Sequence, residues 1–505
     1  MSEYNDSAII AKQQLDNISD TMCYAKWAQV SLHLTNGQTQ SCYHPPVHEI
    51  SHAEIIHNPG ALHNTEQKKS ERAQMLKGER PKGCEYCWRI EDAGGISDRV
   101  YRSGEYWAQN ARKDIIQSTT EDLEVNPRYV EVNFNQACNF KCTYCSPHLS
   151  TTWEDEVKIH GPLEVLDANN KLVKHNDPKY LNMPLKVAQK DNPYIDAFWR
   201  WWPEIYDNLE VFRMTGGEPL MDSNTFKVLD YIYEHPNAWL ELSITTNLNP
   251  PKEALWDKFM DKIQKLEEIQ IWESPRYNPG SGNHWYVNMA VKHTALFVSV
   301  DAVNEQAEYI RTGLDFVNLA KKSEEFLNKT YNTTITYINT FNVMSVEGYL
   351  DYLKFILDMR SKFSKEGQGT KYIEIYDPYN DHPDYEIVPR QRVWFDIPLL
   401  RYPDWMAINI LDSSWQSCFT EALEFMEEHR LEGDHDFVGF YDFEIDKTKR
   451  NLEWMNTEYQ SMTSGDLDRH HTNLRNFVKQ LDERRYTDFA ETFPKLNSYL
   501  ENNNE

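Results

Sequence analysis

Tyr129-Val-Glu-Val-Asn-Phe-Asn-Gln-Ala-Cys138-Asn-Phe-Lys-Cys142-Thr-Tyr-Cys145 is the stretch on which the reading of this chain turns. From Tyr129 to Phe134 apolar and polar side chains alternate as on a strand, and the thiols of Cys138, Cys142 and Cys145 follow directly. The tripod therefore sits at a strand's C-terminal end. Three thiolates spaced Cys-x3-Cys-x2-Cys can hold three corners of a cubane [4Fe–4S] cluster; a fully protein-bound cluster needs four, so one iron is left open for a ligand. A zinc site could use the same cysteines, because Cys-x2-Cys is a common zinc half-site.

Downstream, Glu210-Val-Phe-Arg-Met-Thr-Gly-Gly-Glu-Pro219 reads as a second strand ending in a Gly216-Gly217 turn, where missing Cβ atoms let a ligand approach the backbone. Further strand-like runs lie at about 240–246, 295–301, 333–340 and 371–376, with helical patterns at 194–208, 223–234, 253–266, 315–327 and 346–361. This rhythm predicts an α/β fold, a partial parallel (β/α)6 barrel over 128–395. The tripod, Gly-Gly-Glu, Thr246-Asn247 and Asp301 would then gather at the strands' C-terminal ends, where function collects in parallel barrels. Two insertions break the rhythm, at roughly 161–193 and 273–293, and read either as substrate walls or as solvated excursions.

The whole chain sets the bounds. Its 505 residues allow about three domains. With 40% apolar residues, 19 glycines and 23 prolines it is neither disordered nor linker-like. A net charge of −27, with no more than two adjacent basic residues, argues against non-specific nucleic-acid binding. The first twenty residues carry four acids, and no run approaches a membrane span, so a cytoplasmic protein is expected. In that reducing compartment the eight cysteines read as metal ligands or core thiols, not disulfides.

Seven of the eight lie in the first third of the chain. Residues 29–42 alternate apolar positions at 30, 32 and 34 and then turn at Asn36-Gly37, which predicts a two-residue type I′ hairpin returning Cys42 towards Cys23. Cys84-x2-Cys87 would supply another pair, so that four thiolates enclose one metal or cluster, a four-cysteine zinc site being the alternative. Residues 396–505 read as a helical, acidic appendage in which Cys418 is a buried apolar thiol and His470-His471 part of a solvated face.

These motifs together resemble the radical S-adenosylmethionine (radical SAM) superfamily. The resemblance implies S-adenosyl-L-methionine on a [4Fe–4S] cluster held by Cys138, Cys142 and Cys145, with Tyr144 against the adenine and Gly216-Gly217-Glu218 meeting the amino group. It implies Thr246 and Asn247 as further cofactor contacts, and Ser299 and Arg311 as holders of the ribose and carboxylate. Cys23-x13-Gly37-x4-Cys42, followed by Cys84-x2-Cys87 and Glu91 to Arg99, resembles the twitch module, a shortened relative of SPASM that carries an auxiliary Fe–S cluster. Here the module would occupy 1–127, ahead of the barrel instead of behind it. The implied substrate is a peptide or protein side chain, with small molecules and nucleotides as alternatives, and the implied electron donor is a flavodoxin or ferredoxin. Outside this class, the thiols would suit a zinc-stabilised interaction protein, or a related fold that binds the nucleotide without cleaving it.

Overall fold

In the computed structural model seven parallel strands form most of one nine-stranded sheet. It describes residues 2–117, 123–268, 270–272, 286–288, 290–364, 370–375, 384–388, 390–433 and 437–502. In chain order the sheet's strands are β1 (Gln29–His33), β2 (Gln38–Gln40), β3 (His48–Glu49), β4 (Tyr129–Asn133), β5 (Val211–Thr215), β6 (Asn237–Thr246), β7 (Val291–Ser299), β8 (Thr333–Ile338) and β9 (Val393–Asp396). Across the sheet the order is β9-β8-β7-β6-β5-β4-β1-β2-β3, and the end strands do not pair with each other. From β4 to β9 spatial order equals chain order. The five crossovers are the helices α1 (Pro193–Tyr206), α2 (Ser223–Glu234), α3 (Glu253–Leu266), α4 (Phe316–Lys329) and α5 (Tyr349–Phe363).

The strands' period of two sorts the faces. Val130, Val132, Phe212, Met214, Leu242, Ile244, Leu296 and Val298 are buried and share a core with Phe198 and Trp202 of α1 and Phe259 of α3. Trp202 and Phe212 meet edge to face at 4.7 Å. The intervening residues Glu131, Arg213, Thr245 and Phe297 are half-buried, so the face away from this core is largely polar. A parallel sheet covered on both sides by apolar layers would read as continuous hydrophobic runs.

Two expectations change here. The run at 371–376 does form a strand, Thr370–Ile375, but it pairs antiparallel with Asp384–Val388 outside the main sheet. The sixth strand of the series is β9, whose entry is fixed by buried Arg392 donating to the carbonyls of Thr333, Leu327 and Thr330. The predicted I′ turn is replaced by a four-residue connection, 34–37, in which only Gly37 has a left-handed φ, +70°. Leu34 is drawn onward because its N–H bonds to the Asn133 carbonyl and its side chain is buried. β1 pairs with β4 over five residues, so the first segment extends the same sheet.

Of the second insertion, residues 273–285 and 289 lie outside the described residues. After β9 the chain is largely helical, with long helices Asp442–Ser461 and α6 (Ser464–Arg485). No described helix is long and apolar enough to cross a membrane. Arg360 of α5 and Glu444, both buried, form a two-pronged ion pair at 2.7 and 2.9 Å, and Arg360 also donates to the Val393 carbonyl at 3.0 Å. Arg360→Met leaves a buried carboxylate unpaired and is expected to cost about 3–5 kcal/mol. Urea unfolding should show this, and Arg360→Met with Glu444→Leu should recover most of it.

Candidate active site

The cysteine loop is bound to its surroundings almost atom by atom. Thr151 at the start of helix Thr151–His160 receives the Cys138 N–H at 3.2 Å and donates to the Cys138 carbonyl at 3.1 Å. Trp153 Nε1 donates to the Cys142 carbonyl at 2.7 Å, and Ser150 and Thr152 hold the Phe140 carbonyl. Lys141-Cys142 makes a short antiparallel ladder with Arg311-Thr312. The three thiols interact electrostatically with one another. Burial pushes Cys138 up to about 12 and also raises Cys142 and Cys145, a neighbouring Arg311 offsetting part of the rise at Cys142. Burial thus favours the protonated thiols.

Gly216-Gly217 packs directly against the cysteine loop. A Cβ on Gly216 would lie 2.6 Å from Asn133 Oδ1, and one on Gly217 would lie 2.6 Å from the Gln136 carbonyl carbon. The missing carbons admit the cysteine loop itself. Gly217 N–H donates to Asn135 O at 3.1 Å and Glu218 N–H to Ala137 O at 2.6 Å. The Glu218 side chain is turned inward and buried, accepting from Leu220 N–H, Thr246 Oγ1 and Asn247 N–H at 3.0, 2.7 and 2.7 Å. Asn247 in turn donates from Nδ2 to Asn139 Oδ1 at 2.9 Å. Gly216, Gly217, Glu218, Thr246 and Asn247 thus join the ends of β5 and β6 to the loop.

From the other side, Arg311 brings its Nη1 to 3.5 Å from the Cys142 sulfur and pairs through Nε with buried Asp301 at 2.8 Å. Its Nη2 bonds to Asp301 and to the Tyr144 hydroxyl, which donates to Asp301 at 2.8 Å. Asp301 also holds the chain just past the C-terminal end of β8, accepting from Thr340 N–H. Ser299 lies at the end of β7, in register with Ile338 of β8. Apart from Arg311, which lies on the short strand paired with Lys141-Cys142, the residues singled out between 128 and 395 stand at or just past the C-terminal ends of the parallel strands or on the cysteine loop.

Cys23, Cys42, Cys84 and Cys87 line one cavity together with Lys26, Arg99 and Arg102. Lys26 is buried and paired with Glu71, and Arg99 is paired with Glu91 at 2.9 Å. Burial pushes Cys42 and Cys87 up to about 12, with Cys23 adding to both. Among the described residues no three Cys, His, Asp or Glu side chains converge on a point where one ion could sit.

Sequence reading missed a polar group on the open sheet face: Arg213 contacts Glu131 at 3.5 Å and Thr245 Oγ1 at 3.3 Å, and lies 4.4 Å over the Phe297 ring. Tyr43, next to Cys42, donates to Glu131 at 3.2 Å. The signal was present as a charged residue between apolar ones in Val130-Glu131-Val132 and Phe212-Arg213-Met214. Arg485 binds Glu156 at 3.1 Å and Thr312 Oγ1 at 3.1 Å, beside the loop. His470 and His471 are buried, not solvated; His471 Nε2 is 2.8 Å from the Ile410 carbonyl. Cys418 is only half-buried, with Lys495 Nζ at 3.0 Å from its sulfur.

No family model matches the chain. In sequence it is similar to GTP 3′,8-cyclase of Sulfurimonas denitrificans, 22% identical over 271 residues, covering 52% of this chain and 64% of that protein. It is also similar to GTP 3′,8-cyclase of Campylobacter lari, 26% identical over 129 residues, covering 26% of this chain and 30% of that one. The chain spans less than two thirds of the length of these relatives, which are enzymes by name. Among solved structures it is similar to Streptococcus suis SuiB bound to S-adenosylmethionine, 14% identical, TM-score 0.28, covering 65% of this chain and 59% of that one. For SuiB alone the values are 14%, 0.30, 69% and 64%.

Glu218 gives the site a pH signature. Burial raises its carboxyl from 4.5 to about 7, against the pull of its three donors. The folded state therefore holds this proton more tightly than the unfolded chain. Its stabilising contribution is complete below about pH 4.5 and disappears as pH rises through about 7. Urea unfolding between pH 5 and 7.5 should show a downward slope that is flatter in Glu218→Gln.

Proposed function

We propose that this protein is a radical SAM enzyme. The observation that carries the reading is the three-thiol loop at the C-terminal end of β4, built onto the Gly216-Gly217 turn and Arg311 within one parallel α/β sheet. Similarity to the GTP 3′,8-cyclases of two organisms supports an enzyme. The donor set fits a cubane: three thiols on one short loop, mutually coupled, with a cation 3.5 Å from the middle sulfur to offset thiolate charge. The loop would hold three irons and leave the fourth to S-adenosyl-L-methionine, whose one-electron cleavage supplies a 5′-deoxyadenosyl radical for hydrogen abstraction.

The chain's own residues then have definable tasks. Arg311 and Tyr144, both tied to Asp301, hold the far side of the loop and set the charge beside Cys142. Glu218 keeps Thr246 and Asn247 in place, and Asn247 reaches the loop. Ser299 and the Gly216-Gly217 backbone complete the proposed nucleotide cradle, in a ladder curved as a partial barrel. Residues 1–127 act as a twitch-like module in which Cys23, Cys42, Cys84 and Cys87 hold an auxiliary Fe–S cluster. All four thiols line one cavity, which supports a shared centre, a four-cysteine zinc site being the alternative.

The substrate is a peptide or protein side chain, on the strength of the resemblance of the N-terminal cysteine pattern to twitch, and the electron comes from a flavodoxin or ferredoxin. A nucleotide substrate is the second reading, favoured by the names of the two sequence relatives. After anaerobic reconstitution about eight irons per chain are expected if both clusters form and about four if the barrel site forms alone. Dithionite should drive 5′-deoxyadenosine formation, abolished in Cys142→Ala. A zinc-loaded, iron-free protein would end the enzyme reading, and stimulation of the cleavage by GTP would select the second.

A further inference from the structure

The insertion 161–193 folds back as a hairpin of Leu163–Leu166 against Leu172–His175, and its two edges are treated differently. On the first strand, Glu164 N–H donates to Gln480 Oε1 and Gln480 Nε2 donates back to the Glu164 carbonyl, both at 2.9 Å. Two residues on, Leu166 N–H donates to Asn473 Oδ1 at 2.7 Å and Asn473 Nδ2 to the Leu166 carbonyl at 2.9 Å. Two amide side chains of α6 thus stand in for a neighbouring strand at alternate residues and close that edge.

The pleat fixes the consequence. Because Glu164 and Leu166 turn their backbone groups outward, Leu163 and Val165 bond inward to their partners His175 and Val173. Leu172 and Lys174 must then present theirs on the far edge, and no described residue bonds to the backbone of either. The side chains there are exposed and apolar or basic: Leu172 is 61% and Val173 39% exposed, flanked by Lys171 and Lys174. Val173, Lys174 and His175 line a cavity shared with Tyr144 and Ser146 of the cysteine loop and with Tyr402. Asn176, just past the strand, donates to the Cys145 carbonyl at 3.0 Å.

We propose that this open edge receives an extended segment of a peptide substrate as a third strand, with an acidic side chain beside Lys174, and leads the following residues into the cavity next to Tyr144. Backbone bonds to Leu172 and Lys174 would supply affinity, and the lysine would favour acidic over basic segments. The inference rests on the peptide reading of the function, but its test reads binding and not turnover.

The probe is a fluorescein-labelled octapeptide of alternating valine and glutamate, compared with the same peptide N-methylated at alternate residues and with a valine–lysine version. On the wild-type protein the first should bind at least about tenfold more tightly than the N-methylated form, which cannot donate to an edge. It should also protect the Leu172 and Lys174 amides from hydrogen exchange, and the valine–lysine peptide should bind more weakly. Lys174→Pro removes the outward N–H together with the ammonium, and Lys174→Thr the ammonium alone, so both should weaken the valine–glutamate peptide, the proline variant more. Equal binding of the N-methylated peptide, or protection mapped elsewhere, overturns the proposal. Absence of S-adenosylmethionine cleavage in the wild type would instead sink the enzyme reading, which peptide binding does not measure.

Discussion

The backbone at 135–137 and the backbone at 216–218 approach so closely that a single carbon added to Gly217 would sit 2.6 Å from the Gln136 carbonyl carbon. That approach lets two backbone hydrogen bonds form between the cysteine loop and the end of β5, at 3.1 and 2.6 Å. It also delivers Glu218 into a buried position from which it holds the end of β6. One steric allowance thereby joins three strand ends and a loop of nearly fixed conformation. Under the proposed function a loop that offers three sulfurs to one cluster cannot be left to sample conformations, because each free rotor would dilute the ligating geometry.

Much of this could be read in the sequence because its signals are local. Glu253–Leu266 and Ser223–Glu234 form over the helical spans their periodicity marks, and the five strands from β4 to β8 fall within a few residues of their alternating runs. What failed was decided by partners distant in sequence. The 371–376 run and β9 both look like strands; the choice between them depends on Arg392 reaching carbonyls 59 to 65 residues earlier. The Asn36-Gly37 turn gives way because Leu34 bonds to Asn133 on β4. His470 and His471 carry polar neighbours in sequence, yet their helix turns them against the 404–410 segment.

The candidate site divides the same way. The three thiols and the glycine pair stood out by their spacing and Arg311 by the family resemblance, and the structure brings all of them together. Spacing could not reveal that Glu218 faces inward to three donors, or that Arg311 arrives already paired with Asp301. Those roles follow from where the strand ends converge, which no single segment encodes.

The polar face of the sheet connects the two sets of cysteines. Cys42 is followed by Tyr43, whose hydroxyl lies 2.6 Å from that of Tyr129 and donates to Glu131, and Glu131 pairs with Arg213 under the Phe297 ring. Desolvation raises the Glu131 carboxyl while the nearby Arg213 charge lowers it, so the pair is mutually dependent in a partly dry setting. The N-terminal thiols are therefore anchored to the same surface that Thr245, Phe297 and Ser299 present towards the strand ends. Because β1 pairs directly with β4, a shift of the Cys42 segment would strain the strand that carries the tripod. The N-terminal position of the four-thiol segment is thus a matter of sheet order: β1 joins the sheet between β4 and the β2-β3 edge, on the far side of β4 from the remaining strands of the parallel series.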